Sequence, residues 1–238
     1  MKQEYYYLCD RQFDKEFDKI ALLERYPWVG RDFAKRSCRP LILGDSHYAT
    51  DSDGNFSQEE YDTFKSDKNY TRGIINNVIY DKCKGDTTWK MYEGLLKTFM
   101  ELSPENVKSF WSKVAFYNFI QEPMKHKDEK PSDKYIADGW RCLAGVIEVL
   151  HPTSILIIGV RNDCCSDKIN GKGIRLEDFK NDIYYKINGC TPRIGKIIFG
   201  NDIIPITLIK HTSQRYSCDS WREYLEERDH EMMDYLLR

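Results

Sequence analysis

The sequence predicts a three-layer α/β/α domain around a mainly parallel central sheet, and three observations carry that prediction. Short apolar runs such as "PLIL" (40–43), "VAFY" (114–117), "SILII" (154–158) and "IIPITLI" (203–209) are nearly continuous, as in strands covered on both faces. Segments with helical spacing separate most of them. No internal repeat and no Pro/Gly/Ser linker divides the 238 residues, so one domain spanning 1–238 is expected, and 41% hydrophobic content is ample for its core.

The elements follow in order. Phe13, Phe17, Ile20 and Leu23 recur at helical spacing within residues 11–25, which predicts an amphipathic opening helix ending before Tyr26 and Pro27. "PLIL" is the first strand. From Ser57 to about residue 112, aromatic and aliphatic residues broken by polar joints predict three or four helices over one sheet face. "KVAFYNFI" (113–120), β-branched and aromatic, is the second strand, and the charged run 125–134 is a surface loop. Ser132 caps a helix in which Ile136, Trp140, Leu143, Ile147 and Leu150 repeat until Pro152. "SILIIGV" (154–160) is the clearest strand. A polar stretch then leads to "DIYYKI" (182–187), which reads with the strands, and to "KIIF" and "IIPITLI", joined across Gly200, Asn201 and Asp202 as a hairpin. A last helix runs from about Ser217 to the end.

The charge balance, 36 basic against 38 acidic side chains, advertises no polyanion globally, so any such site is a local patch. No run approaches the roughly 20 apolar residues of a membrane span, and "MKQEYYYLCDRQF" lacks the regions of a signal peptide. A cytoplasmic monomer is expected. The eight cysteines are scattered without a C-x-x-C pair and read as reduced thiols; neither metal nor cofactor is expected.

Ligands of such sheets bind outside the carboxyl ends of the strands. Four strands there lead to Gly44-Asp45-Ser46-His47-Tyr48, to Asn118, to Gly159-Val160-Arg161 and to His211-Thr212-Ser213. An amide, an imidazole and a carboxylate thus converge on one edge, which turn chemistry alone does not require.

This order of strand-G-x-x-x-Y, strand-Asn, strand-Gly and strand-His-x-Ser resembles the uracil-DNA glycosylase superfamily, in particular its divergent bacterial branches. "YPWVGRDF" and "FWSKVAFYNFIQ" strengthen the resemblance, which spans roughly Tyr26 to Trp221. It implies a cofactor-free site that flips a pyrimidine out of DNA and hydrolyses its N-glycosidic bond. Asp45 and Ser46 match the loop that handles the water and the sugar cation, with Asp45 favoured because a serine without a base activates water poorly. Tyr48 matches the wall of the base pocket, and Asn118 the amide that reads the base edge. His211 matches the donor to the base O2. His47 stands where relatives carry a proline or a small residue and is assigned to sugar or phosphate. Thr212 replaces the family's usual proline, which implies a looser loop. Phe56, Tyr61 or Phe64 would stack on the base, Phe56 first among them. "QRYS" (214–217) falls where the superfamily inserts a wedge into the duplex, with Arg215 or Tyr216 as the plug. Arg161, Ser213, Lys125, Lys127, Lys172, Arg193 and Lys210 would grip DNA near that edge. The long segments 49–112 and 161–195 leave the base open: uracil, or a hypermodified pyrimidine such as phage glucosylated hydroxymethylcytosine, which would make this an anti-phage enzyme rather than a repair enzyme.

Two other readings remain. "GDS" after a strand resembles the nucleophile block of GDSL-type serine esterases, with Ser46 as nucleophile, although no histidine lies three residues after an aspartate as that family requires. A non-catalytic DNA-binding descendant of the glycosylase fold is the other, suggested by Ser46 and Thr212.

Overall fold

The structure, a computed structural model, describes residues 4–51, 53–126, 129–159, 165–171, 173–213 and 215–237. Its centre is a seven-stranded mixed sheet: β1 (Trp28–Val29), β2 (Pro40–Gly44), β3 (Ala115–Asn118), β4 (Ser154–Ile158), β5 (Ile174–Asn181), β6 (Arg193–Phe199) and β7 (Asp202–Ile209), in the spatial order β1-β3-β2-β4-β7-β6-β5. β3, β2, β4 and β7 are mutually parallel, and the antiparallel strands β1, β6 and β5 complete the edges.

Alternation along the strands divides the core in two. Leu41, Leu43, Tyr117, Ile155, Ile157 and Leu208 face Trp140, Leu143 and Ile147 of α6 (Asp133–Leu150). Ile42, Phe116, Leu156 and Ile158 face the other way. That side is covered by α3 (Tyr70–Cys83), α4 (Lys90–Phe99), α5 (Pro104–Lys113), α7 (Cys218–Arg228) and α8 (His230–Leu237). Helices therefore cover both faces, as near-continuous apolar strands require. Between β2 and α3 lies α2 (Gln58–Ser66), so the stretch expected to hold three or four helices holds four. Ser57, Ser103, Ser132 and Ser217 cap α2, α5, α6 and α7, each side chain accepting a main-chain N–H of the first turn.

Three expectations are corrected. The opening helix is only one turn, α1 (Asp14–Phe17). Beyond it the chain is held by long-range partners: Tyr26 and Lys68 take the Asp18 carboxylate, Ile20 packs over Gly145, and Gln121 accepts the N–H groups of Glu24 and Arg25. "DIYYKI" is a turn, and the strand that pairs with β6 is the preceding segment 174–181. As an edge strand, β5 carries charges on its exposed side, which hides it from an apolar-run criterion. The final helix breaks at Asp229, whose side chain accepts the Met232 N–H and starts α8. No helix among the described residues is long and apolar enough to cross a membrane.

Candidate active site

The four parallel strands end nearly level: Gly44 is in register with Asn118, Leu43 with Ile157, and Ile158 with Ile209. After β2 the chain passes to the face covered by α3–α5, and after β4 to the opposite face, where Ile169 packs. The ends of β2 and β4 thus flank the topological switch point, where ligands of such sheets bind.

The first loop is fastened to the segment after β3. The N–H groups of Phe119, Ile120 and Met124 donate to the carbonyls of Gly44, Asp45 and His47 at 2.9, 2.9 and 2.8 Å. Asp45, Ser46 and Tyr48 are thereby held half-buried at the switch point, Tyr48 bridged to Met124.

Two glycines make room for two polar side chains. Asn118 is 4% exposed, and its buried Oδ1 has no hydrogen-bond partner. A buried polar group left unpaired costs about 1–3 kcal/mol. A Cβ on Gly44 would stand 2.2 Å from that oxygen, so Asn118 leans over the end of β2. Likewise a Cβ on Gly159, whose φ is +77°, would stand 2.4 Å from His211 Cδ2, so the imidazole leans over the end of β4. Adjacent strands are about 4.8 Å apart, and Asn118, from β3, and His211, after β7, come to the neighbouring ends of β2 and β4 from the two outer strands.

The state of His211 follows from its neighbours. The Ser213 main-chain N–H donates to Nδ1 at 3.2 Å, and the Ser213 hydroxyl lies 2.8 Å from the same nitrogen. A ring nitrogen that accepts is unprotonated, and burial lowers the pKa of the ring, so the neutral tautomer carries its hydrogen on Nε2. Ser213, expected to touch DNA, is exposed and holds His211 through these two contacts. Thr212 does not loosen the loop. It is buried, its hydroxyl donates to the Met91 carbonyl at 2.6 Å, and its own carbonyl lies against Gly94 of α4. Thr212→Val is expected to cost about 1 kcal/mol, read as a melting temperature lower by about 2–4 °C, with a weakened His211-dependent activity.

His47 does not face a substrate. Its Nε2 lies 3.2 Å from Thr71 Oγ1, and its ring meets Phe64 and Tyr70 edge-on at 5.2 and 5.1 Å. Burial and the nearby Arg25 guanidinium push its pKa down from 6.5 to about 3, so the ring is neutral. The unfolded chain therefore takes this proton first, and the contribution to stability, complete above about pH 6.5, is lost as pH falls toward 3. Thermal melts across that window are expected to fall less steeply for His47→Gln than for the parent.

Of the three aromatic candidates, Phe64 is buried under Arg25, whose guanidinium lies 4.0 Å from its ring centroid, and has no face to offer a base. Phe56 is half-buried beside Tyr61 and Lys125, and Tyr61 donates to Glu122 at 2.7 Å. Tyr216 is no plug. Its ring stacks on Trp221 at 5.9 Å and 7°, and its hydroxyl lies 3.0 Å from Thr98 Oγ1. Arg215 is exposed with φ +44°, and its carbonyl accepts Lys210 Nζ at 3.3 Å. Arg161, Lys127, Lys172 and Gln214 lie outside the described residues.

The sequence missed the supports of this site. Gln121, three residues after Asn118, donates to the Asn118 carbonyl at 2.7 Å while accepting from the Glu24 and Arg25 main chain. Gly94, a glycine inside a helix, was the only signal for the docking of Thr212. Among the described residues no group of three or more His, Cys, Asp or Glu side chains is placed to hold a metal ion, and no cysteine is in a disulfide. A hollow of about 620 Å³ between Ile20, Gly145 and Ile169 contains none of the strand-end residues. No protein-family model matches the chain, and no curated protein matches its sequence.

Proposed function

We propose that the protein is a monofunctional DNA glycosylase of uracil-DNA-glycosylase-like fold, which hydrolyses the N-glycosidic bond of a flipped pyrimidine and leaves an abasic site. The observation that carries this reading is the buried Asn118 side chain, whose Oδ1 has no hydrogen-bond partner, leaning over the end of β2 while a neutral His211 leans over the end of β4. An amide presents one donor and one acceptor, matched to the edge of a pyrimidine, and pairing with a base would offset its burial.

Bond cleavage leaves positive charge on the sugar and negative charge on the departing base. Asp45 at the end of β2 counters the first and, with Ser46, positions the water. The Nε2–H of His211 donates to the base oxygen as charge develops there, and neutrality suits that donor because no proton need leave it. Phe56 stacks on the base and Tyr48 closes the pocket wall.

The esterase reading has less support. Among the described residues no hydrogen bond joins Ser46 to a histidine: His47 Nε2 is engaged by Thr71 and His211 Nδ1 by Ser213. Incubation with uracil-containing, unmodified and hypermodified phage DNA, followed by an assay for alkali-labile sites, is the test. Abasic sites in at least one DNA are expected, and their absence after Asp45→Ala combined with Asn118→Ala. Binding without abasic sites in any DNA would replace this reading with the non-catalytic one.

A further inference from the structure

The parallel strands also have an amino edge, and a second hollow lies there, at the opposite end of the strands from Asn118 and His211. It holds about 270 Å³ between the starts of β4 and β7, the Cys38–Arg39 segment that leads into β2, and the start of α8. A water occupies about 30 Å³ and drug-sized pockets begin near about 300 Å³, so the space suits a small molecule. Its walls are tied together. The Arg39 N–H donates to Thr153 Oγ1 at 2.8 Å, the Thr153 N–H donates to the Arg39 carbonyl at 3.0 Å, and the Cys38 thiol donates to the Glu231 carbonyl at 3.9 Å.

Two observations in this hollow point to a ligand. Ser154, part of its lining, is 2% exposed, and its buried Oγ makes no hydrogen bond. A hydroxyl is costly to bury unpaired. It faces Asp229, whose carboxyl is pushed up to about 6 by burial, against the pull of the Met232 N–H and of that hydroxyl. The second observation is charge. Asp202, Asp229 and Glu231 line the hollow against a single cation, Arg39, and among the described residues none of the three carboxylates has an ion-pair partner. Arg39 is turned to main-chain carbonyls, its Nε donating to His151 at 2.7 Å and its Nη1 to Arg36 at 3.3 Å.

Charge and shape select the ligand. The start of α8 alone would favour an anion, but three carboxylates repel one, and the Asp229 side chain already takes the Met232 N–H. A hard metal ion needs oxygens converging at about 2.0–2.6 Å, and no group of three or more acidic, His or Cys side chains among the described residues is placed to supply them. An alkylammonium instead offers three donors to dispersed acceptors. Its methylenes suit the apolar lining of Pro152, Pro205 and Met232. We propose that this hollow binds a small alkyl diamine, one ammonium held by Ser154 Oγ and the Asp229 carboxylate and the other by Asp202 and Glu231, which are exposed at its mouth. The proposal is independent of the base-excision reading.

Calorimetric titration of the full chain with 1,5-diaminopentane is the test, with magnesium chloride and tetramethylammonium chloride as comparison probes. Saturable binding of the diamine is expected, and none of tetramethylammonium, which has no N–H to donate. Ser154→Ala removes a hydroxyl that bonds nothing in the protein, so the melting temperature should hold while diamine affinity falls at least about tenfold, as for loss of a hydrogen bond to a charged group. Asp229→Asn keeps a capping acceptor for α8 and is expected to weaken binding at least as much. Glu59→Gln, an exposed site on α2, should leave it unchanged. No saturable binding of the diamine, binding of magnesium alone, equal binding of tetramethylammonium, or an affinity that Ser154→Ala changes by less than about twofold would each overturn the proposal. Should Asp229→Asn fail to fold, Ser154→Ala still decides it.

Discussion

Asn118→Ala is expected to lower base excision by about 10²–10³-fold, the loss typical of a hydrogen-bonding group aimed at developing charge, while leaving the melting temperature within about 2 °C of the parent. The pairing of these two outcomes is the informative part. A buried asparagine with a structural role would hold neighbours by hydrogen bonds, and its removal would destabilise the fold. Asn118 Oδ1 has no partner, so truncation relieves an unmet polar group as it opens a small cavity, and the two changes offset. Rate assays beside thermal melts check this directly. A large loss of stability would show that Asn118 is structural.

Gly159→Ala carries the second large effect. At φ +77° an alanine is strained by about 1–2 kcal/mol, as for any L-residue in the left-handed region. Its methyl group would also meet His211 Cδ2 at 2.4 Å and push the ring from its place over β4. A misplacement of that order lowers the rate by about 10²-fold. Gly200→Ala separates the two contributions. Gly200 has φ +59° with nothing within 4 Å of an added Cβ, so the variant is expected to lose similar stability and keep full activity. Equal activity losses in both variants would remove the argument that Gly159 exists to seat His211.

Much of this was legible in the sequence because the signals are local. Continuous apolar runs marked β2, β3, β4 and β7, serines marked helix starts, and Gly200-Asn201-Asp202 marked the hairpin. The residues at the strand ends followed from the same runs, since the carboxyl end of a parallel strand is fixed once the strand is. What failed depended on distant partners. Phe13, Phe17, Ile20 and Leu23 have helical spacing, yet Lys68, Gly145 and Gln121 draw most of that segment out of a helix. "DIYYKI" has strand composition, yet Arg228 and Tyr224 pull Asp182 into a turn and leave its apolar corner outside. Within the site, His47 and Tyr216 carry chemistry-bearing side chains that packing turns inward, toward Thr71 and Trp221. Nothing in the nearby sequence distinguishes them from Asp45 or His211; only the helices lying over the sheet do.

The most direct measurement is the release of free base. The purified protein is incubated with each of the three DNAs and the small-molecule fraction is analysed by mass. A free pyrimidine base leaving an unbroken strand, with release by Asn118→Ala lower by about 10²–10³-fold, is the result predicted by the Asn118 amide at the end of β2 and the neutral imidazole at the end of β4. Release of nucleotides, or of no base from any of the three, would contradict it.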